Sequence, residues 1–408
     1  MKCRHCSSEI TFQLIDLGTA PPSNAYLTPQ TINQPETWFP LNVVVCEKCW
    51  LVQVESSSRA ADLFNDEYAY FSSFSDVWLQ HCKGYVGRMI EKLGLNQSSM
   101  VAEIASNDGY LLQFVQEQKI PCFGVEPTAS TAIAARAKGI ETIEEFFGVA
   151  LATRLVNEGK AADLIAANNV LAHVPDINDF VRGFATLLKA DGVATFEFPH
   201  LMKMIEDRQF DTIYHEHYSY LSLSTVVDIF AANGLSVFDV EQIPTHGGSL
   251  RVFAQRSDTG SRLMEDSVTD LLKLESDKGM NTVDFYQGFE DEAEQLKSAL
   301  MDFLIAAKED SKKVAAYGAE AKGNTFLNYA GVKSDLISFV SDRNPAKQGK
   351  WMPGSRIPIV GEQQIRDEQP DFVLILPWNL QDEVSQQLSY IREWGAQFVV
   401  VQPKFRIW

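Results

Sequence analysis

The stretch Val101–Thr128, VAEIASNDGYLLQFVQEQKIPCFGVEPT, constrains this chain more than any other. An apolar run, Met100–Ile104, reads as a buried strand with an acidic residue near its end. Small and polar residues follow at Ala105–Gly109, then a helical run at Tyr110–Gln118. A second apolar run, Cys122–Val125, ends in Glu126. Strand, tight loop, helix and strand, with carboxylates near both strand ends, make one crossover of a parallel sheet. Such a unit offers a small ligand the carboxyl edge of the sheet. Loop amides and a helix start lie beneath it, and the second carboxylate can accept bonds from ribose hydroxyls. The plainer alternative is an α/β crossover that binds nothing.

The loop is not a dinucleotide fingerprint. Glycines spaced G-x-G-x-x-G let a pyrophosphate approach a helix N-terminus, and here only Gly109 remains. A ligand without phosphates fits better, and S-adenosylmethionine has the matching charges. Its amino acid end is zwitterionic and its sulfonium cationic, so Glu103 and Asp108 are tolerable neighbours where a pyrophosphate would be repelled. The expected cofactor contacts are Glu103, Ala105, Asn107, Asp108 and Gly109, with Glu126 on the second strand.

At 408 residues the chain should hold two or three domains, each with its own core. Hydrophobic content of 45% and charged content of 22% belong to a globular protein. A net charge of −19 argues against a nucleic-acid partner, whose phosphates would be repelled. No apolar run reaches the ~18 residues of a membrane span, and MKCRHCSSE lacks the apolar core of a signal peptide. A cytoplasmic protein is expected, and in that reducing setting the six cysteines should not form disulfides. Four of them make two C-x-x-C pairs, Cys3/Cys6 and Cys46/Cys49. Two such knuckles complete a tetrahedral zinc site with no open position, so the metal should hold the fold and perform no chemistry. A redox pair or free thiols are the alternatives.

Residues 1 to about 70 form this zinc module. An aromatic run, Phe64–Phe74, follows; rings this dense are more often core than ligand cage, though Tyr68 and Tyr70 can face a pocket. A helix, Ser75–Leu93, leads into the central unit. A third strand, Asp163–Ala167, carries Asn168 and Asn169 at its carboxyl end, with His173 a few residues later. A further strand, Gly192–Pro199, precedes Asp211–Leu221, DTIYHEHYSYL. Its two histidines are two apart, so the segment is not a helical H-E-x-x-H zinc site. Two imidazoles beside a glutamate make it a candidate for proton transfer, against a purely structural role.

Thr245–Arg251, THGGSLR, offers His246, Gly247 and the cation Arg251 before a strand at Arg251–Gln255. Residues 282–310 read as a long amphipathic helix. The last third repeats an α/β pattern, with strands at Lys313–Tyr317, Leu336–Ser341, Phe372–Leu376 and Gln397–Val401. The loop Gly318–Gly323 can cradle phosphates, with Lys322 as its cation. Arg343 and Arg356 flank a glycine-containing turn, and a bound diphosphate is expected here, against a solvated loop.

Taken in order, the two knuckles, EIASNDGYLL, GVEPT, NNVLAHVPD, YHEHYSYLS, HGGSLR and YGAEAKGN resemble the zinc-containing sugar C-methyltransferases, and the resemblance covers essentially the whole chain. It implies an α/β architecture with an N-terminal zinc module (1–70), a central class I methyltransferase domain that binds S-adenosylmethionine (71–258) and a C-terminal Rossmann-like domain (259–408). The last would help to hold a nucleotide-diphosphate sugar, a 4-keto-6-deoxyhexose typically methylated at C3. The family's aromatic position falls on Tyr68, with Tyr70 beside it, and its post-strand histidine on His173. Its Tyr-x-Glu-His falls on Tyr214, Glu216 and His217, the last being the general base. Ala105 departs from the glycine the family often carries. An NAD-dependent nucleotide-sugar oxidoreductase and a non-enzymatic zinc adaptor are the competing readings. The first lacks G-x-G-x-x-G in either half; the second predicts no S-adenosylmethionine binding. The oligomeric state is open.

Overall fold

The computed structural model describes residues 1–55 and 71–408. Its first sheet is antiparallel: β1 (Phe12–Ala20) pairs with β2 (Phe39–Val45), and β2 with β3 (Val52–Val54). The fourth strand of this sheet is Ser219–Tyr220, more than 160 residues further on, with Val52 opposite Tyr220 and Gln53 opposite Ser219. The segment DTIYHEHYSYL is thus stitched onto the zinc module at its C-terminal end.

Helix α1 (Asp76–Leu93) starts where the Ser75 side chain accepts from the Trp78 amide, and it ends at left-handed Gly94. The central unit then runs β4 (Val101–Ile104), α2 (Leu112–Glu117), β5 (Cys122–Val125), α3 (Ala129–Ala137), β6 (Thr142–Ile143), α4 (Val149–Asn157), β7 (Ala162–Asn168), α5 (Ile177–Leu187) and β8 (Leu188–Pro199). After α6 (Leu201–Glu206), the short β9 (Ser219–Tyr220) and α7 (Leu223–Ala232), it closes with β10 (Leu235–Ile243) and β11 (Ser249–Arg256). The sheet order is β10-β11-β8-β7-β4-β5-β6, with β11 antiparallel to both neighbours. β4 and most of β5 and β7 are buried, which is why they read as unbroken apolar runs. Strand order reverses between β4 and β7, and at such a switch point the loops part to leave a crevice at the carboxyl edge.

The last third begins with α8 (Asp266–Asp277), a helix in the polar stretch that carries no strand signal, and α9 (Phe289–Glu309). The latter starts later than residue 282 because Gly288, at φ 84°, turns the chain into it. A third sheet follows from β12 (Val314–Tyr317), α10 (Ala321–Ala330), β13 (Val340–Ser341), β14 (Ile359–Val360), α11 (Gln363–Glu368), β15 (Phe372–Ile375), α12 (Gln381–Gln387), β16 (Gln397–Val400) and β17 (Arg406–Ile407). Its order is β14-β13-β12-β15-β16-β17, parallel except for β17. Of the strand expected at Leu336–Ser341, only the last two residues pair; Lys333 to Ile337 form a turn instead.

One core joins the first and third sheets. Leu14, Val43 and Val52 pack in the same cluster as Phe210, Ile213, Phe326 and Leu374. The segment 201–213 therefore lies between the zinc module and the third sheet. No helix among the described residues is long and apolar enough to cross a membrane.

Candidate active site and zinc centre

The four knuckle cysteines converge. Sγ of Cys3 lies 3.6 Å from that of Cys49, Cys6 is 3.6 Å from Cys46, and all four sulfurs fall within 4.8 Å of one another. A tetrahedral zinc with ~2.3 Å bonds to sulfur sets its ligands roughly 3.8 Å apart, so the cage fits the ion. Both knuckles turn the same way. The amides of Ser7 and Trp50 bond back to the carbonyls of Cys3 and Cys46 at 2.9 and 2.7 Å, and both residues take φ 59°. Gln53 donates to the Cys3 sulfur at 3.3 Å, neutralising part of the thiolate charge that four cysteines bring. With four protein ligands the zinc is structural.

The loop after β4 lies at the switch point. Ala105, Asn107 and Gly109 alternate in left-handed conformation, at φ 58°, 48° and 76°. Glycine stands at the last, where a Cβ would both strain the positive φ and push against the Ile140 Cδ1 at 2.4 Å. Ala105 keeps the loop geometry at a cost of about 1–2 kcal/mol. Glu126 secures the loop: its carboxylate accepts from the amides of Asn107 (3.0 Å) and Thr128 (2.8 Å). Glu103 is fully buried at the loop's base, and desolvation raises its pKa well above the carboxylate range, with Tyr110 as its polar neighbour. Along the same edge Ser106 Oγ, Asp108 Oδ1, Asn168 Oδ1 and Asn169 Oδ1 are buried with no partner among the described residues. Unpaired acceptors at a switch point are what a ligand bearing ammonium, hydroxyl and amine donors completes. S-adenosylmethionine fits these residues, and Glu103, Asn107, Asp108, Glu126, Asn168 and Asn169 would hold it.

Beside this edge sits the tyrosine–histidine segment. It is a turn, not extended chain: the His217 amide bonds to the Tyr214 carbonyl at 2.9 Å. The two imidazoles therefore part company. His215 faces the zinc module, with Nε2 3.3 Å from the Phe39 carbonyl. His217 turns the other way, towards His173. Its Nδ1–H donates to the Thr212 carbonyl at 2.7 Å, which leaves Nε2 as the acceptor of the Tyr214 hydroxyl at 2.8 Å. His173 packs edge-on, ring centroids 4.6 Å apart. Burial, then the neighbouring His173, keeps His217 neutral, well below the ordinary 6.5. Burial likewise brings His173 down to about 4. Glu216 is buried and its pKa raised by desolvation; one oxygen accepts from Asn24 of the zinc module at 3.1 Å, and Oε2 has no partner among the described residues.

The expected substrate residues do not gather in one place. His246 lies in the crevice, with Nε2 3.3 Å from Asn169, Gly247 next to it, and the Trp78 ring 5.6 Å away. Lys322 points towards the same spot, with Nζ 3.5 Å from the His246 carbonyl and 5.2 Å over the Trp378 ring. Arg251 does not line an open surface. It is fully buried opposite Glu197 in the β8–β11 register, bonded to Glu197 (2.7 Å), Glu241 (3.1 Å) and His81 (2.9 Å). Its charge is already balanced there, and a diphosphate cannot reach it. Arg343 faces Glu383 (3.8 Å) and Gln387 (3.4 Å), whereas Arg356 pairs with Glu36 at 2.7 Å. The loop Gly318–Gly323 has its first amide after the glycine capped, Ala319 N–H donating to Asp342 at 2.7 Å. Tyr68 and Tyr70 lie outside the described residues.

Several residues at the crevice carry no local sequence signal. Trp78 and His81, stacked with centroids 5.0 Å apart, come from one face of α1. Glu197 joins them, hydrogen-bonded to His81 at 2.9 Å and to Thr245 at 3.0 Å. Only the count of seven histidines is suggestive, because four of them, His81, His173, His217 and His246, come from distant parts of the chain to neighbouring positions here.

A seven-stranded sheet with one antiparallel strand and a ligand edge built around Glu103, Glu126 and Asn168 defines a class I S-adenosylmethionine-dependent methyltransferase. Family models match in the same order: a zinc binding domain at residues 3–64, a methyltransferase domain at 78–240 and a C-methyltransferase C-terminal domain at 244–403. The C-methyltransferase NovU of Streptomyces niveus is 33% identical over 406 residues, covering 100% of this chain and 96% of its own. The chain belongs to the zinc-containing, S-adenosylmethionine-dependent sugar C-methyltransferase family. Solved structures overlap part of the chain: magnesium protoporphyrin IX methyltransferase of Synechocystis PCC 6803 at 16% identity, covering 45% of this chain and 82% of its own, with a TM-score of 0.35. An S-adenosylmethionine-dependent methyltransferase of Clostridium acetobutylicum overlaps at 11% identity, covering 46% and 94%, with a TM-score of 0.37.

Proposed function

We propose that the enzyme methylates C3 of a nucleotide-diphosphate-linked 4-keto-6-deoxyhexose in the cytoplasm, with His217 removing the C3 proton. One observation carries the reading: His217 is a buried, neutral imidazole whose Nδ1–H is held by a carbonyl, so that Nε2 is its basic nitrogen, and that nitrogen meets the Tyr214 hydroxyl beside His173. A C–H next to a ketone is a weak acid, and its loss needs a base and a stabilised enolate. Nε2 takes the proton once bound substrate draws the Tyr214 O–H away from it and towards the sugar. The Tyr214 hydroxyl, a neutral donor beside it, supports the oxygen that gains charge at C4, with His173 close by. Glu216, held through one oxygen by Asn24, presents the other to a sugar hydroxyl. Tyr68, outside the described residues, keeps the site role that the family resemblance gives it. S-adenosylmethionine, when bound, supplies the electrophilic methyl group. His246, Gly247 and Lys322 would face the sugar's diphosphate side. Residues 1–70, 71–258 and 259–408 serve as the zinc, cofactor and sugar-nucleotide units.

The test is a turnover screen. 4-Keto-6-deoxy sugars carrying TDP, GDP or CDP are incubated with S-adenosylmethionine, and any product is examined by NMR. A methyl group on C3 is expected; a methyl at C5, or none with any nucleotide sugar, overturns the assignment.

A further inference from the structure

The histidine at the centre of the site is held by a carbonyl, and that carbonyl is held from another domain. Thr212 O accepts the His217 Nδ1–H at 2.7 Å. Thr212 itself sits between two residues that the third sheet's domain grips. On one side the Trp378 indole, just past β15, donates from Nε1 to the Asp211 carboxylate at 2.8 Å. On the other, the Thr325 hydroxyl, on α10, donates to the Ile213 carbonyl at 2.7 Å. All four residues are at most 8% exposed, so water cannot replace these bonds. A third bond lies just upstream, from Gln402 to the Arg208 carbonyl at 2.9 Å. Between Phe210 and the turn at Tyr214 the segment has only one short 3-10 turn of its own, Phe210–Thr212, in which the Thr212 amide and hydroxyl bond to the Gln209 carbonyl at 3.1 and 2.7 Å; the bonds from the third sheet's domain add to that short local framework.

We infer that Trp378 and Thr325 are positioning residues that hold the Thr212 carbonyl, and through it the tautomer and ring orientation of His217. The C-terminal domain thereby does more than contact the sugar nucleotide: it sets the aim of the imidazole in the neighbouring domain. The inference rests on His217 being the proton acceptor for its bearing on turnover, and its structural half can be read without substrate.

The experiment uses the full zinc-loaded chain labelled with 15N-histidine. Nitrogen spectra, with His217→Asn to assign the signal, report which ring nitrogen of His217 carries the proton. In the wild type the Nδ1–H form is expected. In Trp378→Phe, which keeps a ring but loses the donor, and in Thr325→Val, which keeps the shape but loses the hydroxyl, a mixture with the Nε2–H form is expected. Zinc content and S-adenosylmethionine affinity should stay at wild-type values. Turnover on a sugar substrate should fall about tenfold in each, in kcat and not in KM, since small misalignments of a reacting group cost this much or more. A merely structural role would lower zinc content or melting temperature without changing the tautomer. An unchanged His217 signal in both folded variants overturns the inference. A changed signal together with normal turnover in His217→Asn leaves the positioning intact and removes the proton-transfer reading instead.

Discussion

The Tyr214 hydroxyl lies 2.8 Å from Nε2 of His217, and the two ring centroids are 4.0 Å apart. With Nδ1 donating to Thr212, the imidazole has one acceptor site, and the phenol is the group that meets it. In the proposed mechanism the pair supplies both functions that enolisation needs, a base and a neutral proton donor, within one turn of chain. Removing the donor alone, in Tyr214→Phe, should lower methyl transfer by about 10²–10³, the scale seen when one oxyanion contact is lost. S-adenosylmethionine binding, followed by calorimetry, should be unaffected. Normal turnover in this variant would leave the phenol without a chemical role.

The zinc cage is predicted to carry one ion per chain through Cys3, Cys6, Cys46 and Cys49. Cys46→Ser should lower the metal content and destabilise the module, because ligand binding and folding of such a knuckle pair are one event. Since β9 follows the His217 segment and pairs with β3, turnover should drop as well. Metal analysis that finds full zinc in Cys46→Ser, or none in the native protein, would contradict the assignment.

Glu126 supports the cofactor loop through the amides of Asn107 and Thr128. Glu126→Ala would leave two buried N–H groups unpaired and remove the acceptor expected for ribose hydroxyls. A loss of about tenfold or more in S-adenosylmethionine affinity is expected, since a charge-assisted bond contributes ~1.5–3 kcal/mol. Equal affinity by calorimetry would mean that the cofactor does not reach this carboxylate.

The buried histidines predict acid sensitivity. Burial, first among the causes, holds His173 and His246 to about 4 and His217 well below 6.5. For a group with a depressed folded-state pKa, the unfolded chain takes up protons before the native one. As pH falls below the ordinary 6.5, the unfolded state gains protons that the folded state refuses until about 4. The stability that neutral burial provides is thus fully present above about 6.5 and is lost as pH falls towards 4. Urea midpoints recorded between neutral pH and about pH 5 should fall, and less steeply in His173→Asn than in the wild type. Identical slopes would show that His173 titrates normally.

What could be read from the sequence was what is encoded locally. The knuckles are two short spacings, and the strand–loop–helix–strand around Glu103 and Glu126 lies within one stretch. Both came through as expected because each needs only neighbours in sequence. The departures come from long-range pairing. Arg251 looks like a free cation before a strand, and only its register opposite Glu197 on β8 reveals that it is buried and balanced. Arg343 and Arg356 lie 13 positions apart in the chain, yet they meet acids on different units, Glu383 and Glu36. Asn24, Thr325 and Trp378 reach the 211–216 segment across more than 100 residues, and no periodicity announces such contacts. The His215/His217 choice was similarly open, because alternation holds for extended chain and the segment turns.

That choice yields the most direct test. His215 bonds to the Phe39 carbonyl on the zinc-module side, whereas His217 is linked to Tyr214 and meets His173 edge-on. His217→Asn keeps roughly the shape and the Nδ1-like donor to Thr212 but has no basic nitrogen. Methyl transfer should fall by ~10²–10⁴, the usual scale for a general base, with substrate and cofactor affinities nearly unchanged. His215→Asn should cost far less in kcat and appear mainly as lowered stability. In deuterated water the wild type should wash deuterium into C3 of the ketosugar if proton removal is reversible, and His217→Asn should not. Near-normal turnover in His217→Asn would reject His217 as the base. A collapse confined to His215→Asn would require the segment to turn its other imidazole into the crevice, which the Phe39 contact opposes.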